Sequence, residues 1–264
     1  MQPVTDRRNV LRQVGGFLAG LPLLGLSGPA FAAPSALIER LMAQAKPLPR
    51  VSERIDFISG KLVGIRYQAN TLIGSPTLPE KFVVRDDAFD CVTYCEIVLA
   101  AAIAPSFAEF EPMLRRIRYE HGKVQYDARN HYFAEWCQRN IENGICRPVT
   151  IEPSVKYDKT VTWHQEFRPR RVSILAVTRS TMMNNAKLLA PGDIIGFTSG
   201  RLGLDYYHTG FVAFGRNGEV LLRNASRSRG RVLDEPMAAF AAANPVSYVT
   251  LLRAVDTTPV AERR

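Results

Sequence analysis

The feature that most restricts the fold is the separation of helical and strand patterns along the chain. Helical spacing of apolar residues dominates 33–60 and 89–144, whereas short β-rich runs and turns follow Pro191. The run HTGFVAFGRNGEVLLRNAS places two such stretches on either side of Asn217-Gly218, a typical hairpin turn. Segregated helices and strands predict an α+β fold and argue against the alternating units of a parallel sheet.

The middle of the chain is harder to assign. Residues 150–190 show no clean period, although KTVTWHQEF has the composition of a strand. The closing run VSYVTLLRA predicts another strand.

The N-terminus has the pattern of an export signal. Paired arginines, Arg7 and Arg8, precede an apolar run that Gly and Pro interrupt and that ends in Ala30-Phe31-Ala32. The twin arginines favour the twin-arginine route to the periplasm. An N-terminal membrane anchor is the alternative, but the run is short for a spanning helix and contains helix breakers.

Removal of this signal sets the predicted domain organisation. We expect a signal peptide at 1–32, a helical linker at 33–49, a single domain at 50–254 and a tail at 255–264. No second long apolar segment follows, so we expect no stable membrane insertion after processing.

The charge balance narrows the class of partner. The chain carries 34 basic and 25 acidic residues, a formal net charge of +9. A basic exported protein favours anionic envelope polymers or nucleic acid. Since the sequence has no nucleic-acid motif and no run of five Lys or Arg, we expect an envelope polymer and no nucleic acid.

The stretch FDCVTYCEIVLAAAIA predicts a helix with a cysteine in its first turn. Asp90 is a suitable N-cap, which places Cys91 beside unpaired backbone N–H groups. The positive end of the helix dipole favours a thiolate there. Cys95 belongs to the apolar stripe and is expected in the core. A cysteine at a helix start is more often structural than catalytic, so a partner base decides the interpretation.

His208 is the best candidate for that base among four histidines. It opens a strand and precedes Gly210, and Asn224 lies across the predicted hairpin. Pairing symmetric about the turn would set position 208 opposite about 227, so a small offset or bulge is predicted. A thiolate, a histidine and a polar residue that orients the histidine form a nucleophilic site. His131, flanked by Arg129 and aromatic residues, is expected to line a groove.

The remaining cysteines leave two alternatives open. Cys137 and Cys146 flank a Gly turn and form either a disulfide or two unpaired buried thiols. The Cys and His spacings lack a zinc pattern, so neither a metal nor another cofactor is expected.

Several motifs together resemble a known family. DCVTYCE, PGDIIGFTS, GLDYYHTGFV and NAS are similar to motifs of the NlpC-like, papain-related cell-wall cysteine hydrolases. More narrowly, they resemble the N-acetylmuramoyl-L-alanine amidase-like branch. The resemblance spans about 50 to 254.

The resemblance implies a papain-like core in which the nucleophile helix packs on an antiparallel sheet, with extra N-terminal and middle helices. Carried over, Cys91 is the nucleophile, His208 the general base and Asn224 the residue that orients it. The branch usually has His where this chain has Asn224. Tyr67 resembles a tyrosine that lines the oxyanion region.

Further residues resemble substrate contacts of the branch. They are Arg129, His131 and Asp205. For Asp205 alone, a turn-forming role is the alternative. The implied reaction is hydrolysis of the amide that joins muramic acid to L-alanine in muropeptides. The alternatives are a γ-D-glutamyl-diamino acid endopeptidase, an inactive peptidoglycan-binding protein and a thiol-redox protein. The oligomeric state is left open.

Overall fold

The computed structural model describes residues 36–164, 166–244 and 248–256. The predicted signal peptide, the first three residues of the linker and all but two residues of the predicted tail lie outside these ranges.

Helices occupy most of the first half of the described chain. Their bounds are α1 Ala36–Ala45, α2 Val51–Lys61, α3 Cys91–Ile103, α4 Phe110–Arg118, α5 Phe133–Glu142, α6 Arg179–Asn184 and α7 Met237–Ala243.

Ten strands of the described chain form one sheet. Their bounds are β1 Arg66–Tyr67, β2 Ala88–Phe89, β3 Cys146–Pro148, β4 Ser154–Val161, β5 Arg170–Thr178, β6 Ile194–Thr198, β7 Tyr206–Phe214, β8 Val220–Ser226, β9 Arg231–Pro236 and β10 Tyr248–Ala254. The order across the sheet is β2-β1-β9-β8-β7-β6-β10-β5-β4, and β3 pairs with β10. Every neighbouring pair is antiparallel except β1 and β2.

The structure confirms the predicted α+β class, the β7–β8 hairpin and the strands β6 and β10. The strand expected in KTVTWHQEF continues only to Val161. Strand β5 was not predicted, although Val172, Ile174 and Ala176 alternate with more exposed residues in a two-residue period. That period ends at Thr178, where α6 begins at once, so the run 150–190 as a whole has no single period.

The helix α3 forms the centre of the core. Its residues from Thr93 to Ile103 are all buried, including Glu96, whose carboxylate pairs with the buried Arg118 at 2.7 Å. It packs against α2, α4 and the strands β7 and β8. The Tyr94 hydroxyl donates to the Ser59 carbonyl at 3.0 Å, and its ring meets Phe211 edge to face. These contacts fix α3 against the sheet.

The two alternatives for the remaining cysteines are resolved. The structure describes all four cysteines and none is in a disulfide, so Cys137 and Cys146 are buried free thiols. None of the helices in the described ranges combines the length and apolar character that membrane crossing requires.

Candidate active site

The N-terminus of α3 is built by a reciprocal cap. The Asp90 carboxylate accepts a hydrogen bond from the Thr93 backbone N–H at 2.8 Å, and the Thr93 hydroxyl accepts one from the Asp90 N–H at 3.0 Å. This arrangement satisfies two backbone donors and defines where the helix begins. Cys91 therefore occupies the first helical position, as the sequence predicts.

The protonation state of Cys91 differs from the prediction. The backbone N–H groups of Cys91, Val92 and Thr209 lower the pKa of the thiol, in the direction expected at a helix start. Burial, followed by the negative charge of Asp90, raises it more, to about 12. The expected thiolate is therefore wrong for the resting site: desolvation exceeds the effect of the helix end, and Cys91 is a thiol near neutral pH.

His208 lies on β7 in an apolar setting. Its ring stacks on Phe240 at 5.4 Å and on Phe197 at 6.2 Å between centroids. Burial lowers the pKa of His208 to about 4, against the hydrogen bond to Asn224, which raises it. The imidazole is therefore neutral near neutral pH and able to accept a proton.

The structure brings His208 and Asn224 together, with 2.9 Å between Nε2 and Oδ1. An amide oxygen only accepts, so Nε2 carries the proton and Nδ1 is the free base.

The register of β7 and β8 shows the predicted small offset, one residue from pairing symmetric about the turn. The β7–β8 register runs without a shift from Phe214 to Phe211, which pairs with Arg223. If this register continues, Asn224 on β8 lies opposite Gly210 on β7, and Gly210 is two residues after His208. Residues diagonal to each other across two strands are close enough for long side chains to meet. The pair therefore needs no bulge between β7 and β8.

Thr209 connects this pair to the nucleophile. It directly follows His208, and its backbone N–H interacts with the Cys91 sulfur. Its hydroxyl lies 3.9 Å from the sulfur of Cys95, which is fully buried in the core as predicted. Thr209 therefore faces α3, whereas the ring of the neighbouring His208 packs against Phe197 of β6 and Phe240 of α7. The predicted approach of the His208 ring to the Cys91 sulfur stays a prediction.

Tyr67 lies beside the same sulfur. It pairs with Phe89 across β1 and β2, and its backbone N–H donates to the Gly230 carbonyl at 2.8 Å. Burial raises the pKa of the Tyr67 phenol, and the negative charge of Asp90 raises it further. Tyr67 is therefore a protonated hydrogen-bond donor next to the thiol.

The predicted groove residues Arg129 and His131 have partners within the protein. The Arg129 guanidinium lies 3.1 Å from Glu80 and over the Tyr126 ring. His131 Nε2 lies 2.6 Å from the Tyr126 carbonyl oxygen, and burial lowers the pKa of His131 to about 4. Their contact with substrate stays a prediction.

Asp205 is buried, and its carboxylate accepts a hydrogen bond from the Ala134 N–H in the first turn of α5 at 2.7 Å. Burial raises the pKa of Asp205. This position supports the structural alternative, a residue that holds α5 against the sheet. The substrate contact of Asp205 stays a prediction.

One polar residue of the site escaped the sequence analysis. Glu235, near the end of β9, accepts a hydrogen bond from Asn224 Nδ2 at 2.9 Å. Pairing of Leu222 with Glu235 across β8 and β9 brings it there. No local pattern marks Glu235, because the contact depends on the register of two strands.

The sequence pattern of the AmiA-like family, described as N-acetylmuramoyl-L-alanine amidase-like, matches residues 57–248. No curated protein matches the chain. Among solved structures, the chain is similar to protein LPG0564 of the DUF1460 family from Legionella pneumophila. That match has 20% identity and a TM-score of 0.73, over 84% of this chain and 95% of the other.

The chain is also similar to structures of an N-acetylmuramoyl-L-alanine amidase from Bacteroides uniformis. One match has 24% identity and a TM-score of 0.69, over 78% of this chain and 99% of the other. Another has 26% identity and a TM-score of 0.62, over 74% and 96%. At 20% and 24% identity, the Legionella pneumophila structure and the first Bacteroides uniformis structure show that this chain shares their fold.

Proposed function

The chain belongs to the AmiA-like family of N-acetylmuramoyl-L-alanine amidase-like proteins, and on that premise we propose that it is a cysteine-dependent peptidoglycan amidase. Its substrate is the amide between the lactyl group of N-acetylmuramic acid and L-alanine in muropeptides. We assign its α3-on-sheet arrangement to the papain-related, NlpC-type core.

One observation supports the cysteine mechanism above the others. The Thr209 backbone N–H lowers the pKa of the Cys91 thiol, and the adjacent His208 is oriented by Asn224 through Nε2. A nucleophile, a base with a free nitrogen and a residue that fixes the tautomer are what the mechanism requires. The approach of His208 Nδ1 to the Cys91 sulfur is part of the proposal.

The first half of the reaction starts from a neutral pair. His208 Nδ1 removes the thiol proton as the Cys91 sulfur attacks the lactyl carbonyl carbon. The C–N bond then breaks, and the proton on His208 passes to the departing nitrogen of L-alanine. A thioester between Cys91 and the muramyl lactyl group remains, and the peptide leaves with a free amino terminus.

The second half returns the enzyme to its starting state. His208 Nδ1 takes a proton from water as the water oxygen attacks the thioester carbonyl. The C–S bond breaks, the proton returns to the sulfur of Cys91, and the muramyl carboxylic acid leaves.

Two groups suit the negative oxygen that forms in each half. The Tyr67 phenol is a protonated donor beside Cys91, and the first backbone N–H groups of α3 point toward the sulfur. A donor of this kind often contributes ~3 kcal/mol to transition-state stabilisation.

Charge next to the site suits an anionic peptide. The β8–β9 turn carries exposed Arg227, Arg229 and Arg231 and packs on β1, which holds Tyr67. The positive charge of Arg227 reaches the Tyr67 hydroxyl and lowers its pKa. The carboxylates of a peptidoglycan stem peptide are complementary to this turn. Export by the predicted signal at 1–32 would place the enzyme in the periplasm with that polymer.

The test uses purified protein, N-acetylmuramoyl-L-alanyl-D-isoglutamine and longer muropeptides, with products analysed by mass spectrometry. We expect free N-acetylmuramic acid and peptides that begin with L-alanine. We expect no such product from Cys91→Ala, whereas Cys146→Ala, which removes a buried thiol away from the site, retains turnover.

Other results would contradict the proposal in distinct ways. A muramyl-L-alanyl-D-glutamate product would identify the γ-D-glutamyl endopeptidase. Binding of muropeptides without turnover, equal in wild type and Cys91→Ala, would identify the non-catalytic alternative.

A further inference from the structure

Asn224 creates an ambiguity that the reaction has to resolve. Its side chain is 0% exposed, so water cannot orient it. The two ends of a primary amide have nearly the same shape but opposite hydrogen-bonding character. With the oxygen toward His208, Nε2 keeps its proton and Nδ1 is a base. With the NH₂ group toward His208, Nε2 would have to accept, and the proton would move to Nδ1.

Glu235 lies where it can remove that ambiguity. Its carboxylate oxygen is 2.9 Å from Asn224 Nδ2, and Nδ2 also faces the Leu222 carbonyl at 3.4 Å. A carboxylate accepts hydrogen bonds and does not donate them. The flipped amide would place the Asn224 oxygen against that carboxylate, with a lost hydrogen bond and repulsion between two acceptors.

We propose that Glu235 is a positioning residue that holds the Asn224 amide in one orientation and thereby fixes the proton of His208 on Nε2. The inference rests on the proposed function for its catalytic consequence. Its structural part, the tautomer of His208, is independent of any substrate.

The placement of Glu235 suits this role. It stands on β9, which pairs with β8 along six consecutive positions from Ser226–Arg231 to Leu221–Pro236. The carboxylate is therefore carried by a regular strand that also contributes Val232 to the core. A group on a paired strand holds its geometry better than one on a loop.

The sharpest variant is Glu235→Gln. Glutamine keeps the size of the side chain and its hydrogen bond, but its amide pairs equally well with either orientation of Asn224. We expect His208 to show a single Nε2–H tautomer in wild type and a mixture of tautomers in Glu235→Gln. Nitrogen NMR of imidazole-labelled protein measures this directly, with the His208 signals assigned by their absence in His208→Asn.

The same variant is expected to lower kcat by about 2-fold with little change in KM, because an equal mixture of tautomers leaves the base in only half of the molecules and touches no substrate. Glu219→Gln makes the same charge change at the exposed end of the β7–β8 hairpin and is the matched control. It should leave the tautomer and kcat unchanged.

A paired substitution tests the link between the two residues. Asn224→Asp sets two carboxylates against each other and should inactivate the enzyme. Adding Glu235→Gln supplies an amide N–H that donates to one oxygen of that aspartate. The other oxygen still accepts from His208 Nε2. The activity of the double variant should therefore be at least several-fold higher than that of Asn224→Asp alone.

A single Nε2–H tautomer in Glu235→Gln, together with wild-type kcat, would overturn the role of Glu235. Failure of the proposed function would give a different experimental result. In that case wild type and Cys91→Ala would both leave muropeptides intact, while the NMR comparison would still report whether Glu235 controls the tautomer.

Discussion

At the scale of the residue, the proposed mechanism makes Cys91 and His208 a neutral pair. Burial raises the pKa of the thiol and lowers that of the imidazole, so each group favours its uncharged form. Proton transfer from sulfur to Nδ1 therefore belongs to the attack itself. A preformed ion pair would instead keep the sulfur charged in the free enzyme.

The ultraviolet absorbance of the thiolate distinguishes these two states. We expect the difference spectrum of wild type minus Cys91→Ala to stay flat from about pH 5 to about pH 9, because the thiol remains protonated there. An absorbance step below about pH 7 would show a thiolate–imidazolium pair and contradict this prediction.

Asp90→Asn is the companion variant. Asparagine still caps α3 but removes the negative charge that raises the pKa of Cys91. Alkylation of Cys91 by iodoacetamide at mildly alkaline pH should therefore become several-fold faster.

At the scale of the element, the position of His208 relative to Asn224 depends on close contact between β7 and β8. Gly210 lies between them, where an added Cβ would be 2.7 Å from the Arg223 carbonyl oxygen and 3.0 Å from the Asn224 Cβ. Since the first of these contacts is to backbone, the strands would have to separate to admit a methyl group.

Gly210→Ala is therefore expected to destabilise the protein by about 1–3 kcal/mol and to reduce kcat through the displaced Asn224. Urea unfolding and muropeptide turnover measure the two effects. Gly200→Ala is the control, because an added Cβ there meets nothing within 4 Å. Equal stability and turnover in the two variants would show that β7 and β8 tolerate the methyl group.

Elements defined by residues close together in the chain were predictable from the sequence. Asp90 and Thr93 lie three residues apart, so the start of α3 could be predicted from the sequence. The β7–β8 hairpin was predicted equally well, because its turn is local. The small offset expected in this hairpin is present as a one-residue shift from symmetric pairing, and the diagonal contact between His208 and Asn224 completes the approach without a bulge.

At the scale of the whole molecule, buried neutral histidines link folding to pH. Burial lowers the pKa of His131 and of His208 from 6.5 to about 4. Between these values the unfolded chain binds more protons than the native one, so stability falls as pH decreases from about 6.5 to about 4. Glu96 and Asp205, whose pKa values burial raises, act in the opposite direction.

The contribution of His208 can be isolated with His208→Asn, which cannot be protonated. In wild type the free energy of unfolding should fall between about pH 7 and about pH 4.5. His208→Asn should lose roughly 2 to 3 kcal/mol less over this range. Urea titrations at several pH values measure the difference. An identical pH dependence in both proteins would mean that His208 is not held neutral by the fold.

The sequence by itself determined the α+β class, the start of α3 with Cys91 in its first turn, and the hairpin that carries His208 and Asn224. Each depends on residues close together in the chain, whose spacing the backbone geometry translates directly into structure. The tertiary structure alone decided that Cys91 is a thiol, that Asn224 meets His208 diagonally and that Glu235 joins them. These properties arise from burial and from the register of paired strands, which depend on contacts between distant parts of the chain.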